Sequence, residues 1–130
     1  MPFEAKHRFA RISPRKARLI ADLVRGRDVD DAISILKFSK QRAGGLVEKV
    51  IRSAVASANE QEVPARNTLF VAKAWVDPGP TIKRFQPKDR GKAYPINKRT
   101  SHIVVTIDER GEGETAPKQN LVGRRPGKAR

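Results

Sequence analysis

Basic side chains dominate the stretch between Gly79 and His102, whose sequence is GPTIKRFQPKDRGKAYPINKRTSH. Seven lysines and arginines stand there against a single acid, Asp89. Lysine and arginine neutralise phosphate groups and release their counterions, and arginine can also bind a phosphate through two hydrogen bonds or stack on a base. The chemistry that this stretch offers is therefore electrostatic binding of a polyanion.

Residues that could catalyse a reaction are few and scattered. The histidines, His7 and His102, are far apart, and no HxxxH or other metal-ligand spacing occurs. Asp30 and Asp31 are adjacent, but they stand at a predicted helix start, where carboxylates act as caps. The chain has no cysteine, which excludes disulfides, thiolate zinc sites and cysteine nucleophiles. We therefore predict that the chain is not an enzyme and has no cofactor or metal.

The charge of the whole chain also indicates a polyanionic partner. Its 130 residues include 28 Lys+Arg and 14 Asp+Glu, a formal net charge of +14. Like charge at this density repels itself, so RNA, DNA or an anionic membrane surface would relieve it. The first residues lack the apolar segment of a secretory signal, and no stretch is long enough for a transmembrane helix. We expect one domain of a soluble cytoplasmic protein, without a membrane or a small-molecule substrate as partner.

The first of the elements that position these basic residues is a helix. Ser13 is predicted to cap it, Pro14 to occupy its first position and Gly26 to end it. Leu19 and Leu23 are expected to widen its apolar stripe. Basic residues crowd its first turns, where their positive charge unfavourably opposes the helix dipole. A nearby phosphate would relieve this repulsion.

Two more helices follow. The segment DVDDAISILKFSK predicts a short helix capped by Asp28 or Asp30. The third helix is expected from Ala43 onward, because its apolar residues step by three and four over four turns. The members of this stripe, which we interpret as core, are Leu46, Val47, Val50, Ile51, Ala54, Val55 and Ala58.

Two segments, TLFVAKAWVD and HIVVTID, are typical of strands. The first is apolar on both faces, so we expect it at the centre of a sheet with Trp75 in the core. A short edge strand or extended arm is expected over residues 4–12. The predicted fold class is α+β: a small domain of about three helices packed on an antiparallel sheet.

The opening stretch lies between these two strands, and we predict that residues 78–102 form a long hairpin. Turn-forming residues cluster between Pro87 and Gly91, and Pro95 suggests a bulge or a bend in the returning arm. Ten residues per arm would extend about 30 Å. A two-stranded ribbon is marginal in water, so we expect ordering against a nucleic acid. Phe85 and Tyr94 either stack on unpaired bases or pack across the two strands.

The residues after Glu109 are rich in glycine, proline and charge, which predicts a flexible basic tail over 110–130. The basic residues near its end offer contacts to phosphates. The chain is thus predicted to consist of a single RNA-binding domain, residues 1–109, followed by this tail.

Three motifs carry a resemblance to a known family. AKHRFARISPRKARLIADLVRG, VDPGPTIKRF and GKAYPINKRTSHIVVTI resemble large ribosomal subunit protein twenty-two, and the likeness covers about residues 5–108. The family signature places histidine and alternating aliphatic residues after a glycine and a basic residue, which Gly91, Lys92 and His102 match. Two positions depart, because the family commonly has Arg-Ala where this chain has Lys88-Asp89.

The resemblance implies a structural constituent of the large ribosomal subunit. Its globular domain would bind large-subunit ribosomal RNA, and its hairpin would line the nascent-peptide exit tunnel beside a loop of ribosomal protein four. The implied partners are therefore ribosomal RNA, neighbouring ribosomal proteins including protein four, and the nascent polypeptide.

The resemblance also assigns residues by position. The implied RNA-binding residues are Arg11, Arg15, Lys16, Arg18, Lys83, Arg84, Lys92, Lys98, Arg99 and His102. The implied tunnel tip comprises Phe85, Gln86, Pro87, Lys88, Asp89, Arg90 and Gly91. From the residues alone, His102 is expected to make a hydrogen bond where the arm rejoins the core.

Two other functions compete with this interpretation. A free-standing basic regulator could use the hairpin to enter a nucleic-acid groove, but the chain has no obvious dimer seam or recognition helix. An RNA-processing enzyme is the third alternative, and the lack of an acid or histidine cluster counts against it.

Overall fold

The computed structural model describes residues 2–61 and 69–110, and its elements give the predicted fold class. In chain order they are β1 (Phe3–Ala10), α1 (Pro14–Val24), α2 (Val29–Phe38), α3 (Arg42–Glu60), β2 (Leu69–Pro78), β3 (Ile82–Asp89), β4 (Lys92–Lys98) and β5 (Ser101–Glu109). Three helices pack on an antiparallel sheet, as predicted. Apart from Arg110, the predicted tail lies outside the described residues.

The sheet has the strand order β1-β5-β2, so the predicted centre was wrong. The central strand is β5, in which Ile103, Val105 and Ile107 are fully buried. Strand β2 lies at an edge, and its Trp75 is 36% exposed and donates from Nε1 to Asp77 Oδ2 at 3.2 Å. The face of β2 that carries Trp75 is therefore partly exposed to solvent. The edge position predicted for the first strand is confirmed.

Helix α3 supplies the predicted core stripe, whose residues are buried except for the partly buried Leu46. Helix α1 buries Ala17, Ile20, Ala21 and Val24, which lie at helical spacing. Leu19 and Leu23 do not widen this stripe, because they project from the solvent side with 61% and 40% of their surface exposed.

The predicted start and end of α1 are confirmed, whereas the predicted side-chain caps of α1 and α2 do not form. Pro14 begins α1, and Gly26 follows its end at a φ of 78°, which favours glycine. The Gly26 N–H donates to Val71 O at 2.8 Å, which ties this helix end to β2. Ser13 and Asp28 occupy N-cap positions without a side-chain capping bond. The Asp28 carboxylate instead pairs with Arg110 at 2.8 Å.

Strands β3 and β4 form the predicted hairpin, which is a two-stranded sheet of its own. Eight residues of β3 span about 26 Å at the usual rise. The turn is Arg90-Gly91, with Gly91 at a φ of 78°. The register shifts between Pro87 and Asp89, whereas Pro95 pairs regularly with Phe85. Of the bulge or bend predicted at Pro95, the bulge does not form. Proline in β4 is tolerated because a two-stranded ribbon consists only of edge strands.

A tight neck joins the hairpin to the sheet. The last core pair is Pro78 with Ser101, and the Gly79 N–H then donates to Thr100 O at 2.9 Å. The Thr100 hydroxyl donates to Pro80 O at 2.5 Å, and Thr100 is only 4% exposed. These contacts fix the point from which the arm leaves the domain.

Candidate nucleic-acid interface

A basic cleft lies where the base of the hairpin meets the N-termini of two helices. Its volume is about 580 Å³, and its lining residues are Arg11, Ile12, Ser13, Lys16, Arg42, Arg84, Asn97, Lys98 and Arg99. Six of these nine carry positive charge and none is acidic. The fold thus gathers cations from four separate segments of the sequence, at residues 11–16, 42, 84 and 98–99.

The local structure explains why these side chains meet. Arg11 follows β1 directly, and Lys16 lies in the first turn of α1 after Pro14 sets the helix start. Arg84 and Lys98 come from the paired strands β3 and β4 near the neck. Arg42 is the first residue of α3.

The electrostatics of the cleft favour an anion. Within residues 2–61 and 69–110, none of its six cations forms an ion pair with an acid. The first turns of α1 and α3 contain no acidic residue, and neither N-cap side chain makes a capping bond. Free N–H groups and the helix dipole add positive potential at both N-termini. Phosphate oxygens would satisfy both the N–H groups and the side chains.

The arm beyond the cleft presents charge without a core. Every residue from Lys83 to Tyr94 is exposed, including Phe85 at 74%. The residues of the implied tip lie in the outer part of this segment and share this exposure. Such a ribbon buries too little to hold its shape alone, so a surrounding partner would contribute most of its order.

The tip holds its one acid in an internal contact. Asp89 Oδ2 accepts a hydrogen bond from the Tyr94 hydroxyl at 3.0 Å. Asp89 also pairs across the strands with Lys92, which places Lys92 beside the turn. The Tyr94 hydroxyl thus partly occupies the carboxylate that departs from the family pattern.

Several predicted RNA-binding residues lie outside the cleft. Arg15 and Lys83 are exposed to solvent. Arg18 donates from Nε to Val76 O at 3.2 Å and therefore holds the free edge of β2. His102 Nδ1 accepts the N–H of Phe9 at 3.0 Å, which confirms the expected hydrogen bond at the root of the arm.

The cleft also contains a basic residue that the sequence analysis missed. Arg42 stands at the start of α3, as Arg15 and Lys16 stand at the start of α1. The shared signal, a basic residue in a first turn without acids, was present in the sequence. Its importance depends on the two helix starts being neighbours, which the sequence does not show.

The described residues contain no cluster of three or more potential metal ligands. No helix in the described ranges combines the length and the hydropathy that crossing a membrane requires.

Comparisons with known proteins identify one family. The family model for ribosomal protein L22p/L17e matches residues 5–108. The chain is 48% identical over 109 residues to the large ribosomal subunit protein uL22 of Lactobacillus helveticus, covering 84% of this chain and 93% of that protein. It is 45% identical over 113 residues to the uL22 protein of Carboxydothermus hydrogenoformans, covering 87% of this chain and all of that protein.

These matches extend over the sheet, the helices and the whole hairpin. They favour the ribosomal interpretation over a free-standing regulator or an RNA-processing enzyme. They also confirm the predictions of a non-enzymatic protein and of a ribosomal location in the cytoplasm. The chain belongs to the ribosomal protein L22p/L17e family and is a structural constituent of the large ribosomal subunit.

Proposed function

We propose that the chain binds large-subunit ribosomal RNA at the basic cleft and lines the nascent-peptide exit tunnel with its hairpin. The observation that carries this proposal is that the basic cleft and the exposed hairpin adjoin each other. Six cations without an acid surround the hairpin base, and an exposed arm without a core extends from them. Residues 1–109 act as one RNA-binding domain, and residues 110–130 are a basic extension.

The cleft anchors the chain on phosphates. Lys98 and Arg99 approach from the hairpin, while Lys16 and Arg42 approach from the helix starts. An RNA strand in the cleft would thus contact the domain and the arm together. Each neutralised phosphate releases counterions, so binding should weaken steeply with salt.

The arm carries the tunnel function. Folded RNA around the ribbon would supply the contacts that β3 and β4 cannot make for themselves. The turn at Arg90-Gly91 would then reach the tunnel wall, near protein four and the nascent polypeptide. Lys88 and Arg90 would contribute positive charge to that wall, and Asp89 would remain bonded to Tyr94.

A salt titration tests the RNA-binding half of this proposal. The full chain is bound to protein-free large-subunit ribosomal RNA, and the slope of log affinity against log salt is compared between variants. Lys98→Ala and Arg42→Ala should each weaken binding and lower the slope by about one. Lys49→Ala is the matched control, because Lys49 is exposed on α3 outside the cleft. Equal slopes for all three variants would contradict the cleft as the binding site.

A further inference from the structure

Strand β1 places an aromatic ring in solvent by means of a bulge. Phe3 and Ala5 are buried and His7 is half-buried, so regular alternation would turn Phe9 inward as well. The register with β5 shifts between His7 and Ala10 instead. Ala10 takes the buried position, and Phe9 is left 55% exposed.

The backbone at Phe9 is unusual for such a residue. Its φ is 59°, in the left-handed region. Bulky residues rarely adopt this conformation, which glycine and asparagine adopt more readily. Bulges re-aim side chains and are common beside functional sites. A strained, exposed phenylalanine therefore indicates a role that the regular strand would not serve.

Neighbouring groups hold the ring in place. The Phe9 N–H donates to His102 Nδ1, and the two rings meet edge to face with centroids 5.0 Å apart at 85°. The Arg8 guanidinium lies 5.2 Å from the centre of the Phe9 ring. Arg11, two residues later, lines the basic cleft. The ring is thus oriented in advance, in cationic surroundings beside the predicted path of the RNA.

We propose that Phe9 is a stacking platform for an unpaired base of the large-subunit ribosomal RNA. Any base can stack on an aromatic ring, and Arg8 and Arg11 would bind the phosphates on either side. His102 acts as a positioning residue, because it fixes the backbone and the edge of the ring. This inference rests on the proposed function, since the same RNA must occupy the cleft.

The test distinguishes a loss of base stacking from a loss of fold stability and from a loss of phosphate contacts. Phe9→Asn removes the ring but keeps a residue that tolerates positive φ, so the melting temperature should be unchanged or higher. Its affinity for protein-free large-subunit ribosomal RNA should fall roughly five- to hundredfold. The salt slope should stay as in the unmodified chain, because stacking releases no counterions. Phe9→Trp should retain binding, whereas Phe9→Leu, which is apolar without a π face, should lose it.

Other outcomes would overturn the inference. Unchanged affinity in Phe9→Asn, together with weakened binding in Lys98→Ala, would contradict the stacking role of Phe9 and leave the proposed function intact. Full binding by Phe9→Leu would indicate an ordinary apolar contact, such as one with a protein. A loss of affinity that accompanies a lower melting temperature would make Phe9 a structural residue. If the unmodified chain did not bind the RNA, the proposed function itself would fail.

Discussion

At the scale of single residues, the guanidinium groups of four arginines have two kinds of surroundings. Arg42 and Arg99 line the basic cleft without an acidic partner among the described residues. Arg18 and Arg25 donate instead to the carbonyls of Val76 and Ala74. These carbonyls belong to an edge strand, whose unpaired groups would otherwise be open to pairing with another chain. Arg18 and Arg25 therefore protect the edge of β2, whereas Arg42 and Arg99 stay available for an anion in the cleft.

Arg18→Gln tests this division. The loss of its hydrogen bond to Val76 O should lower the free energy of unfolding by about 0.5–1.5 kcal/mol. The salt slope of RNA binding should change less than in Lys98→Ala, because Arg18 lies outside the cleft. Urea denaturation and the RNA titration give the two quantities. A reduced slope with unchanged stability would show that Arg18 acts as a phosphate ligand, as the family resemblance implies.

At the scale of elements, the neck decides where the arm points. Three residues, Gly79 to Thr81, face two, Arg99 and Thr100, between the last core pair and the first hairpin pair, Ile82 with Lys98. This unequal count interrupts the pairing, and the separate two-stranded sheet of the hairpin begins beyond it. A Cβ atom on Gly79 would lie 2.6 Å from Thr100 Oγ1, so only glycine allows this approach.

Gly79→Ala should therefore damage the neck. Overpacking against Thr100 should lower the free energy of unfolding by about 1–3 kcal/mol. Gly45→Ala is the control, because a Cβ there meets no atom within 4 Å. In a helix interior that change should stabilise the protein by about 0.5–1 kcal/mol. Urea denaturation of both variants measures the difference, and equal effects would contradict a tight neck.

At the scale of the whole molecule, the domain is held together by a buried core, whereas the arm has none. The sequence predicts the elements of the domain better than their arrangement. The stripe of α3 and the alternation of β5 are strong periodic signals, and both elements form as predicted. The central position predicted for β2 and the core position predicted for Trp75 were wrong, because the outer face of β2 resembles a core face in composition. The side-chain caps predicted at Ser13 and Asp28 do not form, and the Asp28 carboxylate pairs with Arg110 instead.

The candidate site was predictable in its chemistry but not in its assembly. Charge and exposure identified Lys98 and Arg99 as candidates, since nothing in the arm can be buried. The joining of Arg11, Lys16 and Arg42 depends on packing between α1, α3 and the hairpin, which periodicity does not encode. The left-handed conformation of Phe9 likewise arises from tertiary pairing with His102, and the sequence around it contains no turn signal.

The central claim is that the hairpin reaches the exit tunnel, and a photo-crosslink tests it most directly. Ribosomes carrying the full chain with a photoreactive amino acid in place of Arg90 are stalled on a radiolabelled nascent polypeptide and irradiated. The same amino acid in place of Ser53, which is exposed on α3, provides the control. We expect an adduct with the nascent polypeptide from position 90, and none from position 53. Adducts from both positions, or only ribosomal adducts from position 90, would contradict a tunnel-lining arm.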